Sequence, residues 1–247
     1  MKEARYFYVP NAGAKSELPP DEALHAVRVL RLTAGDEIFL MDGEGTFYKA
    51  KVTLPTAKRC GYDIVETLPQ EKGWRGNIRL AVAPTKMMER MEWLVEKATE
   101  VGFDEVSFLN CRFSERQAVR CDRIEKIVVS AMKQSRKPWK PIVNALQDFK
   151  AFVAQPRTGR KFIAHCYTEI ARKDFFSLLM EDDMRGGIGD ITVMVGPEGD
   201  FSTDEVRLAM EHGFESITLG DFRLRTETAA LAAVMMAQLS RRKEKKE

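Results

Sequence analysis

A chain of 247 residues, 44% hydrophobic and 31% charged, has room for one large or two modest cores and the composition of a water-soluble globular protein. No apolar run reaches the roughly 18 to 20 residues of a membrane-spanning helix, and the N-terminus lacks the apolar stretch of a secretion signal, so a cytoplasmic protein with no membrane partner is expected. A formal charge of +2 announces no polyanion partner, and four cysteines and three histidines scattered without ligand spacing predict buried reduced thiols and no metal.

Residues 1–72 read as a β-rich domain. Strand-like runs occupy residues 5–9, 37–41, 46–52 and 61–67, and Asp42-Gly43-Glu44-Gly45 supplies the positive-φ residues of a hairpin turn between the second and third. Between them, Asp21 after Pro20 is an N-cap, and Leu24, Val27 and Leu30 recur at helical spacing to about residue 30. These signals fit a small barrel with one inserted helix. His25, Arg28 and Arg31 fall toward the C-terminal end of that helix, where its dipole favours cations; the functional alternative is that they bind RNA phosphates. The polar, Gly-bearing residues 69–76 then mark the domain boundary, leaving residues 73–247 as a second domain.

From Asn77 the pattern changes to alternating strands and helices. Residues 78–83 form a strand, and Met87, Met88, Met91, Leu94, Val95, Ala98 and Val101 form the apolar stripe of a core-packed helix stopped by Gly102. The methionines are packing residues, not a cofactor box. Residues 105–109 are the next strand. A loop bearing Arg112, Arg116, Arg120 and Arg123 follows, then a helix with Ile124, Ile127, Val128, Ala131 and Met132 on one face. Its end, Lys133 to Lys140, interleaves cations with Trp139 and suits either a dipole-favoured basic terminus or an RNA surface. Residues 161–166 are a strand, 174–180 a short helix, 182–190 a Gly-rich loop and 191–195 a strand. The order argues an α/β fold with a mostly parallel sheet and helices on both faces.

Two strand ends then deliver two Gly-bearing turns. The first is Gly196-Pro197-Glu198-Gly199-Asp200-Phe201-Ser202, where Ser202 and Glu205 form a capping-box pattern for a helix over 203–212 stopped by Gly213. The second follows a strand over 216–219 and runs Gly220-Asp221-Phe222-Arg223-Leu224-Arg225-Thr226-Glu227-Thr228 into a helix apolar nearly all round from 229 to 236, which must be buried at a domain centre or a subunit interface. In open α/β sheets, ligands collect outside the carboxyl ends of strands. Neither phosphate-loop nor dinucleotide fingerprint is present, and Glu198 and Asp200 would repel phosphate, so a cationic or polar ligand suits these turns better. Arginines and Glu227 abutting a buried helix are costly unless paired or used.

These residues carry a resemblance. Gly196-Pro197-Glu198-Gly199 with Phe201-Ser202 and Glu205, then Leu219-Gly220 and Leu224-Arg225-Thr226-Glu227-Thr228-Ala229, resemble the SPOUT methyltransferases, specifically the ribosomal small subunit methyltransferase E family. It extends over nearly the whole chain: His25 with Arg28 and Arg31 resembles that family's N-terminal PUA-like barrel, and Lys86, Met91-Glu92-Trp93, Lys97 and Glu100 its first methyltransferase helix, while Ser114-Glu115-Arg116 and Gln134-Ser135-Arg136 match further positions. Two positions depart. Gly199-Asp200 stands where the pattern has two glycines, and Phe222-Arg223 displaces an arginine by one.

The resemblance implies a trefoil knot in the C-terminal part, a homodimer packed through it, and S-adenosyl-L-methionine as cofactor. The implied reaction is methylation of N3 of a uridine in 16S rRNA, on free rRNA or the small ribosomal subunit. Gly196, Pro197, Glu198, Gly199, Leu219, Gly220, Leu224 and Thr228 are then the cofactor-binding candidates. Arg225 is expected to stabilise charge on the uracil, with Glu227 orienting it or relaying a proton. No histidine falls in the two turns, so an imidazole base is not expected. Arg28, Arg31, Arg116, Arg136 and Lys137 are the RNA-contact candidates, and the basic tail, 241–247, is expected to be solvated and disordered. Two rivals stay open: a non-catalytic RNA-binding protein that keeps the same fold, and a nucleotide-dependent enzyme using the same crevice.

Overall fold

A computed structural model of the chain describes residues 4–56, 58–184 and 189–243. They group into two units, one of residues 1–72 with 129–140, the other of 73–128 with 141–247.

The first unit is built on β1 (Tyr6–Tyr8), β2 (Glu37–Met41), β3 (Thr46–Pro55) and β4 (Cys60–Pro69), a four-stranded sheet in that order. β1 runs parallel to β2 and the other pairs are antiparallel, with an isolated bridge from Glu17 to Gly61. Alternate residues Ile38, Leu40, Ala50 and Val52 turn inward onto Phe7, Ala23, Ala26 and Tyr62. The Asp42 carboxylate accepts the amides of Glu44 and Thr46 at 2.7 and 3.0 Å, shaping the hairpin turn.

The helical segment departs from expectation. α1 spans Pro20–Leu24 with Pro19 as N-cap, so Asp21 sits in the first turn rather than capping it. Pro20 takes the first helical position because its missing N–H would be unpaired there anyway. After Leu24 the spiral widens into a π-helical turn, His25–Val29, and Arg31 ends it at φ 52°. Segment 129–140 belongs to this unit through Lys133, which pairs with Glu22 at 2.7 Å, and Trp139, which covers the Gly45 turn. A Cβ on Gly45 would stand 2.1 Å from the Trp139 ring, at a backbone φ of 106° that already favours glycine.

The second unit holds β5 (Ile78–Val82), α2 (Met88–Val101), β6 (Glu105–Asn110), the start of α3 (Cys121–Ser135), β7 (Ile142–Asp148), α4 (Phe149–Ala154), β8 (Arg160–Ala164), β9 (Lys173–Asp174), α5 (Phe175–Met184), β10 (Ile191–Val195), α6 (Thr203–Glu211), β11 (Glu215–Thr218) and α7 (Thr226–Arg241). Seven strands form one parallel sheet, ordered β7-β6-β5-β10-β8-β11-β9. One face packs on α4 and α6 through Phe149, Phe152, Phe201, Val206 and Phe214. α7 packs against β5 and β10, flanked by α2 and α5. β10 is buried throughout, as a central parallel strand covered on both faces should be. β7, α4 and β9 are additions to the sequence reading: β7 is a half-exposed edge strand without clean alternation, and the other two are too short for periodicity.

α7 sets a small-residue stripe, Ala230, Ala233, Val234 and Ala237, against the sheet, while Met235 and Leu239 are 45% and 56% exposed. One expectation is corrected: the tail does not begin free at Arg241. That residue is 1% exposed, its guanidinium pairs with Asp182, and its carbonyl accepts the Arg75 amide at 2.8 Å. Trp74 bridges to Arg242 and the Lys243 amide reaches the Gly73 carbonyl, so the chain end is zipped to the start of this unit. Residues 244–247 and 185–188 of the Gly-rich loop lie outside the described residues. Removing Asp182 would leave the Arg241 cation buried without its counter-charge. Asp182→Ala is expected to cost about 3 kcal/mol in urea unfolding; a change below about 0.5 kcal/mol, that of an ordinary surface substitution, would contradict it.

Candidate active site

Register brings the site together. Val195 lies opposite Val82 on one side and Ala164 on the other, and Ala164 lies opposite Ile217. The chains leaving β8, β10 and β11 therefore emerge at one edge of the sheet and enclose a cavity of about 800 Å³, within the usual range of small-molecule sites.

The β10 turn contributes Gly196, Pro197, Glu198 and Asp200 to the lining. A Cβ on Gly196 would meet the Phe201 amide at 2.9 Å, so the chain can fold back here only on glycine. The Asp200 amide closes the turn onto the Pro197 carbonyl at 2.9 Å, and the Glu198 carboxylate accepts the Lys86 amide at 3.0 Å. The capping box expected of Ser202 and Glu205 is present, and Glu205 also accepts the Arg112 amide at 2.8 Å. Gly199 does not line the cavity. It faces Phe113, whose Cβ would be 3.1 Å from an added methyl.

The second turn contributes Leu219, Gly220, Leu224 and Arg225, with Asp221, Phe222 and Arg223. Gly220 adopts φ 128° with nothing within 4 Å of a would-be Cβ, which leaves bare backbone facing the cavity. Thr226 opens α7 and donates to the Gly196 carbonyl at 3.1 Å, fastening the second turn to the first. Arg223 and Arg225 are exposed, and neither has an ion-pair partner among the described residues. Glu227 and Thr228 point elsewhere, into a shallow depression with Glu89, Arg90 and Trp93. Glu227, 8% exposed, faces Arg90 at 3.7 Å rather than Arg225, because two residues on a helix are separated by more than half a turn.

A third wall escaped the sequence reading. The end of β8 supplies Ala164, His165 and Cys166, followed by Thr168 and Arg172, and α2 supplies Arg90. The only sequence signal was that residues 161–166 form a strand; its place beside β10 and β11 is a matter of strand order. His165 is 5% exposed. The Tyr167 amide donates to Nδ1 at 3.2 Å, so the ring proton sits on Nε2 and is donated to Ser216 Oγ at 2.8 Å, whose own proton goes to the Ala171 carbonyl at 2.8 Å. Both ring nitrogens are committed, and burial holds the imidazole pKa below its ordinary value. His165 is a neutral strut rather than a base. Burial, then the charge of Asp200, also pushes the Cys166 thiol up.

The RNA-contact candidates divide between the units. Arg28, Arg31 and Arg136 are exposed on the first, and Lys137 is half-buried there. Arg136 adopts φ 54° and lies over the Tyr6 ring at 5.5 Å. Arg116 is in the second unit, where its guanidinium donates to the Lys86 carbonyl at 2.7 Å.

Because the folded protein resists protonating His165 and the unfolded chain does not, the unfolded state gains protons first as pH falls. Stability is therefore unaffected above the ordinary histidine pKa of about 6.5 and declines below it, by at most about 1.4 kcal/mol per pH unit for this group. Urea unfolding is expected to show His165→Gln with a flatter acid limb than the parent; parallel limbs would exclude the strut.

The comparisons with known proteins agree along the chain. The family model described as an RNA methyltransferase domain matches residues 72–238, and that of an RNA methyltransferase PUA domain matches residues 18–60. The ribosomal RNA small subunit methyltransferase E of Aquifex aeolicus is 30% identical over 81% of this chain and 84% of its own. Among solved structures, a probable rRNA-methyltransferase from Porphyromonas gingivalis is 36% identical with a TM-score of 0.85, covering 96% of this chain and 98% of its own. A ribosomal RNA small subunit methyltransferase E from Neisseria gonorrhoeae, bound to S-adenosyl methionine, is 28% identical with a TM-score of 0.81 over the same shares. Two domain models in the expected order, and relatives aligned along nearly their full length, establish that the chain belongs to the ribosomal RNA small subunit methyltransferase E family of RNA methyltransferases.

Proposed function

We propose that this protein transfers a methyl group from S-adenosylmethionine to N3 of a specific uridine in 16S rRNA of the small ribosomal subunit. The observation that carries the reading is one cavity combining bare backbone at two Gly-bearing turns with two guanidiniums, Arg223 and Arg225, that have no ion-pair partner among the described residues. The cofactor fits the residues present: the volume suits it, Gly220 leaves an open cradle, and the carboxylates of Glu198 and Asp200 suit a cation.

When bound, S-adenosylmethionine supplies an electrophilic methyl carbon on a sulfonium sulfur. The protein's part is to hold the acceptor in line and favour its deprotonated form, and orientation alone can contribute roughly 7 to 11 kcal/mol. Arg225, the N-cap residue of α7, is held by the helix that starts after it and stabilises negative charge on the uracil oxygens. Glu227 acts at one remove, holding Arg90 on the cavity wall. The backbone of Gly196, Leu219, Gly220 and Leu224 lines the cofactor side with Pro197 and Glu198. Gly199 and Thr228 take supporting places outside it.

Arg28, Arg31, Arg136 and Lys137 of the PUA unit, with Arg116, would meet rRNA phosphates, so binding should weaken with salt. The reading extends to a C-terminal trefoil knot, a homodimer and a cytoplasmic site of action. Exposed Trp93 on α2 and exposed Met235 and Leu239 on α7 support a partner subunit against these neighbouring helices. Among the described residues no helix is long and apolar enough to cross a membrane.

The deciding experiment is transfer of labelled methyl to under-modified small subunits, with the modified base identified. Label on a base other than uracil, or none despite cofactor binding, removes the assignment and favours a binding protein. In the same assay Arg225→Ala is expected to lower kcat by roughly 10² to 10³ with cofactor affinity by calorimetry unchanged. Equal loss of both would make Arg225 structural.

A further inference from the structure

The wall shared by the ends of β8 and β10 carries one anchored anion. Asp200 adopts φ 67°, a left-handed conformation that glycine takes freely and in which Asp and Asn are the side chains best tolerated. Its carboxylate is held from two directions: one oxygen accepts the Cys166 amide at 2.8 Å and the other the Phe201 amide at 2.8 Å. The Cys166 thiol is a third donor to this carboxylate, whose four lone pairs leave room for a further cationic partner. Asp200 is half-buried on the cavity lining, which also includes Arg172, Arg223 and Arg225, yet among the described residues no lysine or arginine ion-pairs with it. A rigid carboxylate drawn partly out of water and without a counter-ion favours whatever cation enters beside it. Strand register and the turn place it on the ligand space, and it is held there by two backbone amides, whereas Glu198 on the same lining is tied through one oxygen to the Lys86 amide.

We propose that Asp200 is a cofactor-binding residue whose carboxylate takes the cationic amino-acid end of S-adenosylmethionine, through its sulfonium or its α-ammonium. The assignment rests on the S-adenosylmethionine reading and deepens it. Backbone groups recognise the shape of the nucleoside, and this side chain recognises charge.

Calorimetric titration of the full-length protein with three ligands separates the possibilities: S-adenosylmethionine, S-adenosylhomocysteine, which keeps the α-ammonium but lacks the sulfonium charge, and methylthioadenosine, which lacks both. Asp200→Asn keeps the shape and removes the charge. It is expected to bind S-adenosylmethionine roughly tenfold more weakly and methylthioadenosine as well as the parent does. Weakened S-adenosylhomocysteine binding identifies the α-ammonium as the partner, and unchanged binding identifies the sulfonium. Unaltered S-adenosylmethionine affinity, or an equal loss for methylthioadenosine, overturns the assignment while leaving the cofactor reading intact. A parent protein that binds none of the three overturns both. Asp200→Gly, free of the left-handed conformational cost, provides a folded variant with the same expected ligand pattern should the asparagine variant fail to fold.

Discussion

The register of Ile191–Val195 between its two parallel neighbours is the constraint on which the site depends. It is set at the opposite end of the strands by one carboxylate. Asp190 accepts the Asn77 amide at 2.9 Å, the Asn77 side chain at 3.0 Å, Arg79 at 2.8 Å and the Thr158 hydroxyl at 2.5 Å, while its carbonyl accepts the Arg160 amide at 2.9 Å. Gly159 crosses this clamp so closely that a Cβ would lie 2.0 Å from the Asp190 carbonyl oxygen. The starts of β5, β8 and β10 are thus tied to one side chain. A slip of one residue would move the Gly196 turn by about 3.3 Å and exchange the faces of every side chain on the strand.

From that register the crevice is closed by side chains that grip backbone groups of distant loops. Thr226 holds Gly196, Glu198 holds Lys86, Glu205 holds Arg112 and Ser202, and Asp200 holds Cys166. Glu205 can be nearly fully buried because backbone amides and a hydroxyl surround its carboxylate, which offsets its desolvation. A cavity walled this way needs little rearrangement when a ligand enters, and its backbone faces the ligand where Gly220 keeps side chains away. Such preorganisation is worth more to catalysis than flexible contacts of the same number.

Much of this was legible in the sequence, because the central strands are short apolar runs and α2 and α3 carry a clear period of 3.6. The capping box of Ser202 and Glu205 was readable residue by residue, since it depends only on neighbours within one turn. What depends on strand order was not. His165 lies 31 residues before Gly196 in the chain and joins the same cavity only because β8 is inserted between β10 and β11. Composition likewise misled at the C-terminus: a basic run reads as solvated tail, but Arg241 is fixed by Asp182, far away in sequence. α7 was legible in its small residues: the stripe from Ala230 to Ala237 packs against its own sheet.

The charges around the cavity are sorted rather than neutralised. Asp200 belongs to the β8–β10 wall, whereas Arg223 and Arg225 belong to the loop that enters α7, and no ion pair joins the two sets. Paired with each other, they would cancel and offer a ligand only weak dipoles. Held apart by separate anchors, the Cys166 and Phe201 amides for the carboxylate and the α7 start for Arg225, they keep opposite fields at two places in one cavity. A methyl donor that carries positive charge and an acceptor base that gains negative charge as it loses its proton make opposite demands on their surroundings. Donor and acceptor also exchange charge as the methyl moves, so fixed fields of both signs act on the difference between ground and transition states rather than on binding alone. Keeping an aspartate at φ 67° is then intelligible, because a glycine there would fold at least as well but leave the donor side of the cavity without its fixed negative charge.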